Sequence, residues 1–206
     1  MQGFFVTGTD TGVGKTEVAC AIAKKYPKSV VRKPVESGCL SKEGVLFPKD
    51  ASLLKQAAGS SESLDKICPF RFKAAISPES AAISKNQKIC LEDLVSACVN
   101  NNFTIVEGAG GWLSPIALNA TNADLAVELD LPVVLVVANR LGCINHTLLT
   151  INSILQHQLK LAKIVLVNVK NNNEDYFADL SRWTDLPIQR IKHYSCPAPW
   201  TKFEFD

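Results

Sequence analysis

The sequence has no cysteines paired at metal-binding spacing, few histidines, no dominant charge and no long apolar run. Its seven cysteines and three histidines are scattered without a Cys-x-x-Cys pair, which argues against a zinc site. An odd number of scattered cysteines is typical of buried thiols in a reducing compartment. With 22 basic and 20 acidic residues, the net charge of +2 predicts no nucleic-acid or membrane partner.

Segments for membrane insertion or export are also missing from the sequence. The longest strongly apolar run, residues 131–138, is far too short to span a bilayer. The opening MQGFFVTG has neither the basic region nor the cleavage site of a secretion signal. A length of 206 residues, 47% of them hydrophobic, predicts one cytoplasmic domain over residues 1–206 with a sizeable core.

Short runs rich in Val and Ile alternate with helical patterns along most of the chain. Strands are predicted at 4–7, 30–32, 103–106, 133–138, 164–167 and 187–191. Helices are predicted at 16–26, 51–58, 91–100, 123–129 and 144–158. This alternation predicts a doubly wound α/β fold, with a mostly parallel sheet flanked by helices. Ligands of such sheets bind beyond the carboxyl ends of the strands, so the residues that follow strands are the functional candidates.

The stretch GTDTGVGKT, residues 8–16, lies between the first strand and a helix, as a phosphate-binding loop does. It departs from the common template, which would place the first glycine one residue after Gly8. Backbone N–H groups of residues 12–14 can surround phosphate oxygens. Lys15 can reach the outer phosphates, and the Thr16 hydroxyl can bind Mg²⁺.

Two further strand ends carry charged residues. FTIVEGAGG, residues 103–111, places Glu107 where a Walker B carboxylate binds Mg²⁺, although a surface Glu that begins a turn would give the same pattern. Lys33 follows the second strand, where it would either neutralise phosphate charge or extend into solvent. Asp50, which opens DASLLKQAA, is either a helix N-cap or a second Mg²⁺ carboxylate.

In this order, GTDTGVGKT, KPVESG, PKDASLL, VEGAGGWLSPI and RLGCINHTLLT resemble the motifs of dethiobiotin synthetases, over residues 8–150. That family's own loop, GTDT-x-VGKT, has the longer spacing. The resemblance implies a P-loop NTPase fold and an ATP- and Mg²⁺-dependent ligase of biotin synthesis. Its substrates would be 7,8-diaminononanoate and CO₂, and it would form dethiobiotin, ADP and phosphate through a carbamate and a carbamic–phosphoric anhydride.

The resemblance also implies roles for individual residues. The catalytic residues would be Lys33, Lys15 and Thr11. The nucleotide would be bound by Gly12, Val13, Gly14, Lys15, Thr16, Glu17, Asp50, Glu107, Gly108, Ala109, Gly110 and Asn168. Mg²⁺ would be held by Thr16, Asp50 and Glu107. The diamine substrate would contact Thr11, Ser37, Gly110, Gly111, Leu141, Gly142 and Asn145.

The last three of these residues would belong to the partner subunit of a homodimer. There the N-terminus of a helix would hold the substrate carboxylate, whereas the alternative is a helix capped within its own subunit. Asn168 would read adenine. The segment LPIQRIKHYS lacks the family's Gly-x-Ile-Pro turn beside the purine, so residues 189–192 are the remaining candidates for base contacts. Residue 12 is Gly where relatives carry Glu.

Two other functions fit a phosphate-binding loop in such a sheet. A partitioning or maturation ATPase, a nucleotide switch that acts on a protein partner, typically has a lysine early in the loop, and none precedes Lys15 here. An amidoligase of the cobyrinate type would normally carry an additional glutaminase domain, for which 206 residues leave no room.

Overall fold

A computed structural model describes residues 1–168 and 175–191 of the chain. Residue 192, one of the candidates for base contacts, lies outside these described residues. The elements are, in chain order, β1 (Gly3–Gly8), α1 (Lys15–Lys25), β2 (Val30–Arg32), β3 (Val35–Ser37), β4 (Leu40–Lys42), β5 (Val45–Phe47), α2 (Lys49–Ala58), α3 (Leu64–Ile67), β6 (Phe70–Phe72), α4 (Pro78–Ile83), α5 (Leu91–Cys98), β7 (Thr104–Glu107), β8 (Pro115–Ala117), β9 (Ala120–Thr121), α6 (Asn122–Leu129), β10 (Val133–Asn139), α7 (Cys143–Gln156), β11 (Leu161–Asn168), α8 (Phe177–Ser181) and β12 (Ile188–Ile191).

The central sheet has six strands in the spatial order β2, β7, β1, β10, β11, β12. Every pair of neighbouring strands in it is parallel. The carboxyl ends of these strands therefore lie at one edge of the sheet. Since β1 lies between β7 and β10, the loop that follows β1 is placed at the middle of this edge, where doubly wound folds bind ligands.

Helices cover both faces of the sheet. Alternate side chains of β10 point to opposite faces and pack against different helices. Val134 and Val136 pack on one face with α1 and α2. Val133, Leu135 and Val137 pack on the other face with α5, α6 and α7. A strand buried on both faces has to be apolar at every position, which explains the continuous Val-rich run. The predicted α/β class and its doubly wound arrangement are confirmed.

Each predicted strand and helix is present; β2 has the predicted bounds, and in each of the others one or both ends are shifted by one to three residues. Glu107 is the last residue of β7 rather than the first residue after it, and the helix predicted from residue 144 begins at Cys143. The small pairs β3–β6, β4–β5 and β8–β9 were not predicted, because strands of two or three residues show no clear period. None of the helices in the described stretches is long and apolar enough to cross a membrane.

Candidate active site

The loop between β1 and α1 has the geometry of a phosphate cradle. Gly14 precedes the first helical residue with φ of 100°, a left-handed conformation that favours glycine. No side chain caps this helix, so its first N–H groups are left for a ligand. These groups and the helix dipole favour an anion such as phosphate.

The packing of Val13 explains why the loop begins with a glycine at residue 8. This side chain is 1% exposed and packs against the end of β1. A Cβ atom at Gly8 would lie only 2.6 Å from Val13 Cγ2, so residue 8 has to be glycine. The buried Val13 side chain thus anchors the loop on the core beneath α1.

A buried ion pair lies directly beside the loop. Lys33 and Glu107 are 3% and 1% exposed, and Lys33 Nζ donates a hydrogen bond to Glu107 Oε1 at 2.7 Å. Lys33 Nζ also donates to the carbonyl oxygen of Gly108 at 2.8 Å. The Thr16 hydroxyl donates to the same Glu107 oxygen at 2.9 Å. The alternatives of a solvated lysine and a surface carboxylate are therefore wrong.

The charges of this cluster perturb one another. Burial alone would lower the pKa of Lys33, but the Glu107 and Asp50 carboxylates outweigh it and raise that pKa. Burial raises the pKa of Glu107, against the attraction of Lys33. Burial, together with the charge of Lys33, lowers the pKa of Lys15 to about 8. Two close ammonium groups in a buried site would be stabilised by a polyphosphate, so this arrangement favours an anionic ligand.

Glu107 also has an unsatisfied oxygen. Its Oε2 atom is buried and accepts no hydrogen bond within the described part of the chain, which is uncommon for a native carboxylate. Asp50 lies near it, with Oδ2 3.7 Å from Lys33 Nζ. An orphaned carboxylate oxygen, a second carboxylate and the Thr16 hydroxyl are hard oxygen donors, so these residues fit Mg²⁺.

Protein groups supply only part of such a site. No group of three or more His, Cys, Asp or Glu side chains placed to hold a metal occurs among residues 1–168 and 175–191. Magnesium in nucleotide sites is commonly bound by one or two carboxylates, with substrate phosphates and water completing the shell. The donor set of one hydroxyl and two carboxylates matches that pattern.

Asp50 is not the N-cap that one interpretation of the sequence predicted. The residue before α2 is Pro48, which has no capping side chain, and Asp50 lies within the first helical turn. Glu36 provides the cap instead, since its carboxylate accepts hydrogen bonds from the Asp50 and Ala51 N–H groups at 3.1 and 3.0 Å. This contact holds the start of α2, and with it the Asp50 carboxylate, against β3.

Most of the predicted site residues line one cleft of about 620 Å³. The predicted residues that line it are Thr11, Gly12, Val13, Gly14, Lys15, Thr16, Glu17, Lys33, Ser37, Asp50, Glu107, Ala109 and Gly110. Ser37 Oγ is buried and has no hydrogen-bond partner in the described residues, so its capacity to donate and accept hydrogen bonds is unused. Asn168 follows Val167, whose side chain also lines this cleft.

The other predicted residues lie outside this cleft. Gly111 lines a second cleft of about 440 Å³, which α7 borders through His146 and Leu149. Gly142 begins the turn into α7 with φ of 89°, and no side chain caps that helix. Leu141 is 83% exposed beside it. The N–H group of Cys143, the first residue of α7, donates to the carbonyl oxygen of Arg140 at 3.0 Å, so the alternative of a helix start satisfied within its own subunit stands beside the shared site as a prediction.

Several residues of the main cleft were not predicted from the sequence. They are Glu36, Lys49, Leu53, Ser114 and the segment 75–78. The Ser-Pro pair at the start of α4, where the Ser77 hydroxyl accepts a hydrogen bond from the Ser80 N–H group, is a helix-start signal that the sequence did contain. Glu36 offered no such signal, because its partners lie 14 and 15 positions away.

Together, the fold and the cleft define a P-loop nucleotide-binding protein. A family model described as an AAA domain matches residues 2–195. The solved structure of a ParA family ATPase from Chlorobium tepidum TLS has a TM-score of 0.53 and 13% identity, and covers 94% of this chain and 84% of its own. A likeness at this identity supports the fold alone.

Comparison with curated relatives identifies the family within the P-loop proteins to which the chain belongs. The ATP-dependent dethiobiotin synthetase BioD of Vesicomyosocius okutanii subsp. Calyptogena okutanii (strain HA) is 42% identical over 191 residues, 91% of this chain and 88% of the relative. The enzyme of the same name from Ruthia magnifica subsp. Calyptogena magnifica is 41% identical over 191 residues, 91% and 90% of the two chains. The chain belongs to the dethiobiotin synthetase family and is an ATP-dependent ligase that forms C–N bonds.

Proposed function

We propose that this chain acts as one domain that converts 7,8-diaminononanoate, CO₂ and ATP to dethiobiotin, ADP and phosphate. One amine of the substrate adds to CO₂ to give a carbamate. A carbamate oxygen then attacks the γ-phosphorus and releases ADP. The second amine attacks the resulting anhydride carbon, closes the ring and expels phosphate. The single observation that best supports this order of reaction steps is the buried Lys33–Glu107 pair beside the phosphate loop.

The cleft contains a group suited to each requirement of this reaction. Phosphoryl transfer depends on positioning and on neutralisation of charge, and Lys15 and Lys33 supply two positive charges. Thr11 and Ser37 line the same cleft and offer hydroxyl groups that would orient the amines or the carbamate. The uncapped N-terminus of α1 would bind the phosphates.

The test of this function is a product assay. The purified protein is incubated with the diamine, bicarbonate and ATP, and the product is identified by mass spectrometry. Dethiobiotin is expected only when all three are present. ATP hydrolysis that is independent of the diamine, without dethiobiotin, would instead support a nucleotide switch that acts on a protein partner.

Lys33 is expected to act mainly in the transition state, where negative charge moves towards the bridging oxygen. Lys33→Met should therefore lower kcat by roughly 10²–10³, the range for loss of one electrostatic stabiliser. The Kd of ATP should change much less. The measurement compares kcat with the ATP Kd at saturating Mg²⁺, and Lys33→Arg is the control that keeps the charge. Equal losses in kcat and affinity would indicate ground-state binding only.

Mg²⁺ is proposed to be held by Thr16, Asp50 and Glu107, where it would neutralise charge on the phosphates. Glu107→Gln removes the charge of the carboxylate whose Oε2 atom lacks a partner. The midpoint of a Mg²⁺ titration, followed by nucleotide binding, should rise roughly tenfold or more because a hard cation prefers a charged oxygen ligand. Glu128→Gln, an exposed change on α6, is the control. An unchanged midpoint would remove Glu107 from the metal site.

We also propose a homodimer in which Leu141, Gly142 and Asn145 of one subunit hold the substrate carboxylate of the other. The exposed side chains of Leu113, Leu141 and Leu149 support an interface near the second cleft, being 59%, 83% and 61% exposed. The N-terminus of α7 offers N–H groups to a carboxylate.

A further inference from the structure

A buried asparagine at the end of β10 has no role in the proposed reaction. Asn139 is 0% exposed and is the last residue of its strand. It lies directly beside Asn168, the last residue of the parallel strand β11. A buried amide has a donor end and an acceptor end, and both need partners.

The partners of Asn139 fix the orientation of its side chain. The backbone N–H group of Tyr176 donates to Asn139 Oδ1 at 3.0 Å. Because a backbone N–H group can only donate, the oxygen of Asn139 has to lie on that side. The Nδ2 atom is then directed to Asn168, at 2.7 Å, and to Asp175 Oδ1, at 3.2 Å.

The orientation of Asn168 follows from that of Asn139. An amide nitrogen only donates hydrogen bonds, so the atom of Asn168 that meets Asn139 Nδ2 has to be Oδ1. The Tyr176 N–H group and the Asp175 carboxylate therefore agree on which end of each amide lies where. Within residues 1–168 and 175–191, Asn168 Nδ2 makes no hydrogen bond, so Asn168 keeps an available donor and one acceptor lone pair.

Asn168 does not itself line the cleft, but it adjoins a residue that does. It directly follows Val167, which lines the cleft and whose Cγ1 atom lies 3.2 Å from the position a Cβ would take at Gly14. A donor next to an acceptor is complementary to the N7 and 6-amino edge of adenine. A 6-oxopurine offers two acceptors at the same edge, so Asn168 Oδ1 would face another oxygen.

We propose that Asn139 is a positioning residue for base selection. It holds the amide of Asn168 in one orientation, so that donor and acceptor are presented in a fixed order to a base that carries an amino group. Asn139 itself does not touch the nucleotide. The inference rests on the proposed role of Asn168 as the residue that binds the base.

The test measures the Kd of ATP and of ITP, whose bases differ in the 6-amino or 6-oxo group and in the proton that hypoxanthine carries on N1. Both constants are measured by calorimetry in the presence of Mg²⁺. The diamine is left out so that no turnover occurs. Asn139→Leu removes the hydrogen bonds but keeps a similar side-chain volume. The preference for ATP over ITP should fall roughly tenfold, as expected for loss of one or two hydrogen bonds.

The control loosens the same region without freeing Asn168. Asp175→Ala removes the contacts of Asp175 with Arg190, the Phe177 N–H group and Asn139 Nδ2. It keeps the Tyr176 N–H bond to Asn139 Oδ1 and the Asn139–Asn168 bond, which together hold both amides in their orientation. This variant should keep the ATP preference. Equal weakening of ATP and ITP by Asn139→Leu would show a purely structural role and overturn the proposal. Asn139→Ser is the substitute if the leucine variant does not fold.

A double-mutant cycle adds a second criterion. If Asn139 acts through Asn168, Asn139→Leu should not change the ATP-to-ITP ratio further in an Asn168→Ala background. Additive effects would contradict this. A wild-type protein that forms dethiobiotin but binds ATP and ITP equally would overturn the inference and leave the proposed function standing, because dethiobiotin formation is scored separately.

Discussion

Lys15→Ala is expected to reduce dethiobiotin formation by at least roughly 10³-fold, since it removes the charge closest to the phosphate cradle. Lys15 is 7% exposed and lies at the first position of α1. Its Nζ atom donates to the carbonyl oxygen of Asp10 at 2.8 Å, which holds the side chain along the loop. No other loop side chain carries a positive charge, so none can substitute for it.

The fold should tolerate this change, which makes the result interpretable. Lys15 forms no salt bridge with any residue of the described ranges, 1–168 and 175–191, and Asp10 is itself exposed and paired with Arg140. Alanine therefore leaves no buried charge without a partner. Lys25→Ala, an exposed change on the same helix, is the matched control. The measurement is kcat/KM for ATP together with thermal unfolding, and near-normal activity with an intact fold would contradict the central role of Lys15.

The position of a residue in the fold could be predicted from the sequence where that residue directly follows a strand. Lys33 and Glu107 were both predicted at the ligand edge, because parallel strands bring their carboxyl ends together. Their mutual hydrogen bond was not predicted, since these residues are 74 positions apart. Neighbouring strands in a sheet are set by the whole topology, and β2 pairs with β7 although four other strands separate them in the chain.

Contacts made by residues that are distant in the chain, such as the Glu36 cap of α2, were the hardest to predict because no local sequence pattern marks them. A helix that begins after proline gives no capping residue to recognise, and α2 is capped by Glu36 from another element. Sequence reasoning therefore assigned two alternatives to Asp50 and did not consider Glu36. The orientation of Asn168 is a similar case, because it depends on a backbone N–H group that belongs to a later part of the chain.

The shared site predicts that two inactive variants restore activity when they are combined. Lys15→Ala disables the phosphate end of the site. Gly142→Val with Asn145→Ala disables the carboxylate anchor, because valine does not tolerate the left-handed φ of 89° at residue 142. Each variant should be nearly inactive alone. If the anchor comes from the partner subunit, a mixed dimer has one site with both defects and one site with neither.

Random reassembly of the two variants should then recover about a quarter of wild-type activity, because half of the dimers are mixed and one of their two sites is intact. The matched control mixes Lys15→Ala with Lys33→Met. Both of those changes affect the part of the site that one subunit supplies, so each site of a mixed dimer keeps one defect and activity should stay low. Differently tagged subunits establish that mixed dimers form. If they form and the anchor variant still restores nothing, the carboxylate is held within a single subunit, and the uncapped start of α7 has to be explained in another way.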